Sequence, residues 1–260
     1  MTAPPKQPPL PGSRPQGVHE ESEAAAHVRD MFGRIVPRYD FLNHLLSFSF
    51  DHVWRRRTAR AFRHALGQPP ARVLDLCCGT GDLAFALDRV RAASLGDTRG
   101  PILGSDFVEP MLTRAQKKAQ AAHRSVLFAA ADAMHLPFPD AHFDLVTMAF
   151  GFRNLANYEA GLRECARVLK PGGEVGILEF TEPSSGLMAG LFRFYFKSVL
   201  PLIGAAISGN REAYAYLPRS VSRFPPPPDL SLLLEKCGFS DARFTSWNFG
   251  SVTLHSAKRA

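Results

Sequence analysis

The chain has 260 residues, 45% hydrophobic and 21% charged, a globular composition long enough for one large domain or two small ones. Lys and Arg number 31 against 24 Asp and Glu; the resulting +7 favours an anionic partner, whether a membrane surface, a nucleic acid or an acidic metabolite. Four scattered cysteines, Cys77, Cys78, Cys165 and Cys237, exclude a disulfide framework and a zinc site and suit a reducing cytoplasm.

Residues 1–22 hold six prolines in the first fifteen positions and no apolar core, so they read as a disordered tail rather than a secretory signal. Residues 23–260 read as a single domain, with 23–68 a helical lid and 184–216 a helical insertion. Val28, Met31, Phe32 and Ile35 recur at helical spacing over Glu20 to Ile35, and Pro37 is expected to end that helix. A second helix is expected from Asp51 to Leu66. Val53, Trp54, Ala61, Phe62, Ala65 and Leu66 form its apolar face. Arg55, Arg56, Arg57, Arg60 and Arg63 lie largely elsewhere, as a solvated or lipid-facing surface.

After Pro69-Pro70 the period changes. Short apolar runs at Arg72–Leu76, Ile102–Ser105, Val126–Ala130, Phe143–Phe150 and Glu174–Glu179 read as strands. Between them, Asp82–Ala93, Pro110–Ala122 and Asn157–Leu169 read as helices. That alternation predicts an α/β, Rossmann-like fold: a mostly parallel open sheet with helices on both faces. Leu187–Ser208 is apolar but broken by Arg193, Lys197 and Pro201, too interrupted to span a bilayer. It is suited to lie at an interface, to cover a site or to pair with a second copy in a homo-oligomer. A last helix is expected over Asp229–Lys236. An antiparallel C-terminal hairpin, Ala242–Phe249 and Val252–Lys258, should turn at Gly250.

The chemistry concentrates at Asp75-Leu-Cys-Cys-Gly79-Thr80-Gly81-Asp82, between the first strand and the first helix after it. Glycines there let the backbone approach a ligand, and ligands of such sheets bind beyond the carboxyl ends of the strands. Gly79-x-Gly81-x-x-Ala84 also fits a dinucleotide fingerprint. Asp75 tips the reading, because a carboxylate at the head of the loop repels a pyrophosphate and suits a cationic amine such as that of S-adenosylmethionine. Asp106 ends the second strand, where an acid accepts both ribose hydroxyls, and Asp132-Ala133 follows the third, beside the adenine.

These segments, with Arg167-Val-Leu-Lys-Pro-Gly-Gly173, resemble the class I S-adenosylmethionine methyltransferases. Tyr39-Asp40-Phe-Leu-Asn43, Ser47, Trp54-Arg55, Gly151-Phe-Arg153-Asn154 and Leu178-Glu179-Phe180-Thr181 are similar to the ubiquinone/menaquinone biosynthesis C-methyltransferases. The resemblance implies methylation of a ring carbon of a polyprenyl quinol, demethylmenaquinol above its benzoquinol counterpart. It implies S-adenosylmethionine as donor and no metal, with Thr80, Asp106, Asp132 and Ala133 at the cofactor. The chain departs from the pattern at Asp51, where many relatives have His, and at Thr181 and Ala149.

Methyl transfer to carbon needs a phenolate-like nucleophile, so Arg153 and Asn154 after the fourth strand are the candidate catalytic groups. A nucleic-acid methyltransferase is disfavoured because Ala149-Phe-Gly-Phe-Arg-Asn154 stands where an Asn/Asp-Pro-Pro-Tyr/Phe loop would be. Asp75 disfavours a nicotinamide-dependent oxidoreductase. A cofactor-binding module without activity is the non-enzymatic alternative. The expected location is cytoplasmic, peripheral on the inner face of the membrane.

Overall fold

A computed structural model describes residues 12–13, 18, 20–95, 102–183, 186–208 and 211–260. Most of the Pro-rich tail (1–11, 14–17 and 19) lies outside the described residues. Within that tail Ser13 is buried: its N–H donates to the Leu155 carbonyl at 2.8 Å and its hydroxyl lies 2.9 Å from that of Tyr216.

The sheet is built from β1 (Val73–Leu76), β2 (Ile102–Asp106), β3 (Val126–Ala130), β4 (Phe143–Ala149), β5 (Leu169–Phe180), β6 (Phe239–Trp247) and β7 (Val252–Arg259). Its order is β3-β2-β1-β4-β5-β7-β6, parallel from β3 to β5, with β7 antiparallel between β5 and β6. Chain order reverses between β1 and β4, so a crevice opens beyond their carboxyl ends. The expected strands are present within a few residues, except that β5 starts at Leu169 and loops out over 170–173 opposite Asp144. Lys170 closes that bulge, its ammonium 2.7 Å from both Asp144 oxygens.

Side chains alternate across the strands and so build two cores. Leu74, Val146, Met148 and Ile177 face α6 (Tyr158–Val168) and α10 (Pro227–Lys236), whose Leu162, Leu230 and Leu234 are fully buried. Val73, Leu145 and Leu178 face α2 (Phe50–Ala61) and α4 (Asp82–Leu95) through Trp54, Leu83 and Leu87. The helix α5 (Glu109–Ala121) packs beside β2 and β3.

The N-terminal helix corrects one expectation. α1 runs from Glu21 to Leu46 with Pro37 inside it. A proline there loses one helical hydrogen bond and crowds the carbonyl four residues back. Burial on both sides outweighs that cost: Met31 and Ile35 before it and Leu42 after it share a core with Phe196, Leu200 and Val221. These come from the insertion, which folds as α7 (Gly186–Phe194), a π-helical turn (Tyr195–Val199), α8 (Leu200–Ser208) and α9 (Arg211–Arg223). The second expected helix breaks at Phe62 into α2 and the short α3 (Arg63–Leu66). Its Arg55 is buried, which corrects the reading of that arginine as part of a solvated face.

Candidate active site

The crevice is shaped by crowding where β1 and β4 end. Cys77 and Phe150 both adopt positive φ (51° and 60°), so each chain turns sharply off its strand. Gly151 then passes against Cys77 so closely that a Cβ on it would lie 2.3 Å from the Cys77 Cβ. Only glycine fits there.

Two cavities meet at this point and share Phe32, Tyr39 and Phe150 as a wall. The smaller, about 60 Å³, is bounded by Gly79, Asp106, Asp132, Ala133 and Asn154, with Val28 of α1 across it. The larger, about 710 Å³, is mainly apolar and lies between α1, α2 and the insertion. Arg153 lines the larger cavity and its neighbour Asn154 the smaller, so the turn after β4 straddles both.

Arg153 is held through Nε and Nη1. Its Nη1 donates to the Glu179 carboxylate and to the Phe150 carbonyl, both at 2.6 Å, and its Nε donates to Ser220 Oγ at 3.3 Å. The guanidinium stacks 5.7 Å from the Phe180 ring centroid. Glu179 is fully buried, which pushes its carboxyl up, while Arg153 and the Phe180 and Arg153 backbone N–H groups oppose the shift. Among the described residues the two Nη2 donors of Arg153 have no partner. Asn154 accepts from the Tyr216 hydroxyl at 3.2 Å.

The residues expected at the cofactor divide. Asp106 accepts the Gly79 N–H (2.8 Å) on one oxygen and the Val108 N–H (2.9 Å) on the other, which leaves one acceptor site per oxygen. Asp132 takes the Met134 N–H at 2.9 Å. Gly79, Asp106, Asp132 and Ala133 therefore share the small cleft, whereas Asp75, Thr80 and Gly81 do not line it. Gly81 has φ +86° and packs its Cα against Phe85 and Phe128. Thr80 turns its hydroxyl to Asp40 (2.5 Å) and accepts from Lys118 (3.1 Å). Asp75 is fully buried behind the loop, takes the Thr147 hydroxyl at 2.8 Å, and has its second oxygen unpartnered. Burial pushes its carboxyl up to about 7.

Sequence reasoning missed a chain of charges that ties the N-terminal helices to the loop. Asp40 bonds Arg114 at 2.9 Å, Lys118 bonds Asp82 at 2.5 Å, and Arg55 lies between Asp51 and Asp82. Burial opposes the charge on Asp40, yet Thr80, Lys118 and Arg114 hold its carboxyl below the ordinary value. Asp51 and Arg55 are one helical turn apart, but the other partners lie far apart in the chain, and no local pattern announces them.

A family model described as the ubiE/COQ5 methyltransferase family matches residues 18–259. The chain belongs to that family. It is 48% identical over 233 residues to the demethylmenaquinone methyltransferase of Deinococcus radiodurans, covering 90% of this chain and 92% of the relative. A Thermus thermophilus protein of the same name is also 48% identical, over 88% of this chain and all of the relative. The ubiquinone/menaquinone biosynthesis C-methyltransferase UbiE of Geobacter sulfurreducens is 40% identical, covering 93% and 92%. Among solved structures, a SAM-dependent methyltransferase from Thermotoga maritima matches with TM-score 0.62 at 18% identity, over 89% of this chain and 99% of that one. That likeness bears on the fold alone: a Rossmann-like methyltransferase sheet, as the alternation of elements predicted.

The chain is thus a methyltransferase, and S-adenosylmethionine is the methyl donor of its family and fold. The residues present fit that donor chemically. The free acceptor sites of Asp106 suit a vicinal diol and Asp132 suits an exocyclic amine, and both line the small cleft. Val28, Phe32 and Tyr39 of α1 roof the small cleft.

Two outcomes follow from these acids. Asp106→Ala is expected to weaken S-adenosylmethionine binding by about 1.5–3 kcal/mol in calorimetric titration, with the fold retained. Asp75 is more easily protonated in the folded chain than in the unfolded one. Its stabilising contribution is present below its unfolded value of about 3.9 and is lost as pH rises through about 7. Without cofactor, Asp75→Asn should therefore melt with wild type near pH 4. At about pH 8.5 it should be more stable by a few kcal/mol.

Proposed function

We propose that this protein transfers a methyl group from S-adenosylmethionine to a ring carbon of a polyprenylated quinol, demethylmenaquinol giving menaquinol. The observation that carries the reading is the junction of the two cavities. A cleft with ribose- and amine-type acceptors abuts a large apolar chamber, and Arg153 and Asn154 stand on either side of the join. The 48% identity to proteins named demethylmenaquinone methyltransferase favours the naphthoquinol over a benzoquinol.

S-adenosylmethionine, when bound in the small cleft, supplies an electrophilic methyl group to an in-line displacement. The chain's own residues make the ring carbon nucleophilic and hold it in place. The free Nη2 edge of Arg153 donates to the ring oxygen as its proton leaves and negative charge develops beside the reacting carbon. Glu179 and Ser220 fix the guanidinium beforehand, so little reorganisation is needed as the charge appears. Phe180, Trp54 and Phe150 exclude water and present flat surfaces to the ring.

The chamber also explains how a lipid-borne substrate is collected. Phe48, Phe50, Leu191, Phe194 and Phe249 line it and are themselves exposed, which makes an apolar rim at its mouth. No helix among the described residues is long and apolar enough to cross a membrane. The rim instead suits lying on the bilayer, with Arg193 and the exposed Arg56 and Arg57 near anionic headgroups. The side chain of Lys197 lies outside the described residues.

With labelled S-adenosylmethionine and a prenylated 1,4-naphthoquinol, Arg153→Lys should lower turnover about 100-fold while cofactor affinity stays within about twofold. Equal losses in both would place Arg153 at the cofactor or in the fold instead. Phe48→Ser/Phe194→Ser should abolish co-sedimentation with vesicles of anionic phospholipid. Wild type remaining in the supernatant at low salt would refute the interfacial reading.

A further inference from the structure

The large cavity holds an acidic group that stabilisation of the ring oxygen by Arg153 does not use. Among the described residues that line it, Asp51 is the only carboxylate. The residue is 3% exposed, an expensive place for a charge unless its partners are built in. They are. Oδ1 accepts the Ser47 hydroxyl at 2.8 Å, while Oδ2 accepts from Arg55 Nη1 and lies 2.8 Å from His44 Nδ1. Burial opposes ionisation, yet Arg55, Ser47 and His44 together hold the carboxyl below its ordinary value. Asp82 balances Arg55 from α4, 3.9 Å away, and the His52 ring stacks on His44 at 4.2 Å between centroids. A carboxylate has about four acceptor sites. Three are engaged, and the vacant one is on Oδ1.

A hydroquinol carries two hydroxyls on opposite edges of its ring. Arg153, a pure donor, serves the oxygen that loses its proton. The other hydroxyl keeps its proton and needs an acceptor. We propose that Asp51 accepts the hydrogen bond of this second hydroxyl and thereby selects the reduced quinol over the oxidised quinone. A quinone has only carbonyl oxygens at both edges, so one of them would face the carboxylate lone pair to lone pair, with no proton between. The selection has a chemical purpose, since only the reduced ring has a nucleophilic carbon to methylate. His44 and Ser47 are positioning residues that aim the carboxylate. His44, Asp51 and His52 bring their ligand atoms within 4.8 Å of one another, but the Arg55 guanidinium already neutralises Asp51.

This inference rests on the reading of the cavity as the quinol site, and the experiment separates the two. Wild type is first assayed for methyl transfer from labelled S-adenosylmethionine to a short-chain prenyl 1,4-naphthoquinol held reduced with dithionite. Absence of transfer refutes the reading of the cavity itself. Binding of this quinol and of its quinone is then measured by equilibrium dialysis and by quenching of Trp54, which lines the same cavity. Wild type is expected to prefer the quinol. Asp51→Asn, whose amide can donate to a carbonyl, should reduce the quinol-to-quinone affinity ratio by about tenfold or more. Should the Asn protein not fold, His44→Ala keeps the charge but frees its orientation, and the ratio should fall by about threefold. A wild-type protein that methylates the quinol yet binds both forms equally, or an unchanged ratio in either folded variant, overturns the assignment.

Discussion

The buried pair between Arg153 and Glu179 is the constraint on which the site depends. Burying two charges is unfavourable unless their geometry is good and their remaining donors and acceptors are met. Here Glu179 also takes the Phe180 and Arg153 N–H groups, and the arginine also binds the Phe150 carbonyl and Ser220. The pair locks the turn after β4 to the end of β5 and pins α9 over both. A guanidinium held this way keeps one donor edge uncommitted beside an apolar chamber. Removing either partner alone would leave a buried charge uncompensated, so the two residues act as one unit.

Around that pair the chain separates two solvents. The small cleft is edged by Asp106 and Asp132, which sit at the ends of parallel strands where backbone N–H groups orient their oxygens. The large cavity is walled by aromatic rings from α1, α2, β5 and the insertion. Tyr39 and Phe150 stand between them, and Phe150 adopts a positive φ to do so. A polar cleft and an apolar cavity thus adjoin across one wall.

The N-terminal helices roof both chambers and are fastened by charge rather than by apolar packing alone. Asp40, Arg114, Lys118, Asp82, Arg55 and Asp51 form a run of opposite charges that passes beneath the cofactor loop. The pairs of Asp40 with Arg114 and Lys118 and of Lys118 with Asp82 are partly exposed and individually weak, whereas Arg55 and Asp51 are buried.

The sequence by itself determined the layered sheet, the glycine loop, the acids at the ends of β1, β2 and β3, and the Arg153-Asn154 turn. Each rests on a local signal: a change of apolar period, glycines beside a strand end, or a contiguous motif. The helix boundary at Pro37 was misjudged because a local cost was outweighed by contacts to Phe196 and Leu200, more than 150 residues away in the chain. Arg55 read as solvated for the same reason, since Phe150 and Asp82, which cover it, lie on other elements. Only the tertiary structure decided that Asp75 and Thr80 turn away from the cleft they flank in sequence. It alone joined Arg153 to Glu179 and placed Asp51 in the large apolar cavity. Those facts depend on which distant groups share one dry space, and periodicity along the chain carries no information about that.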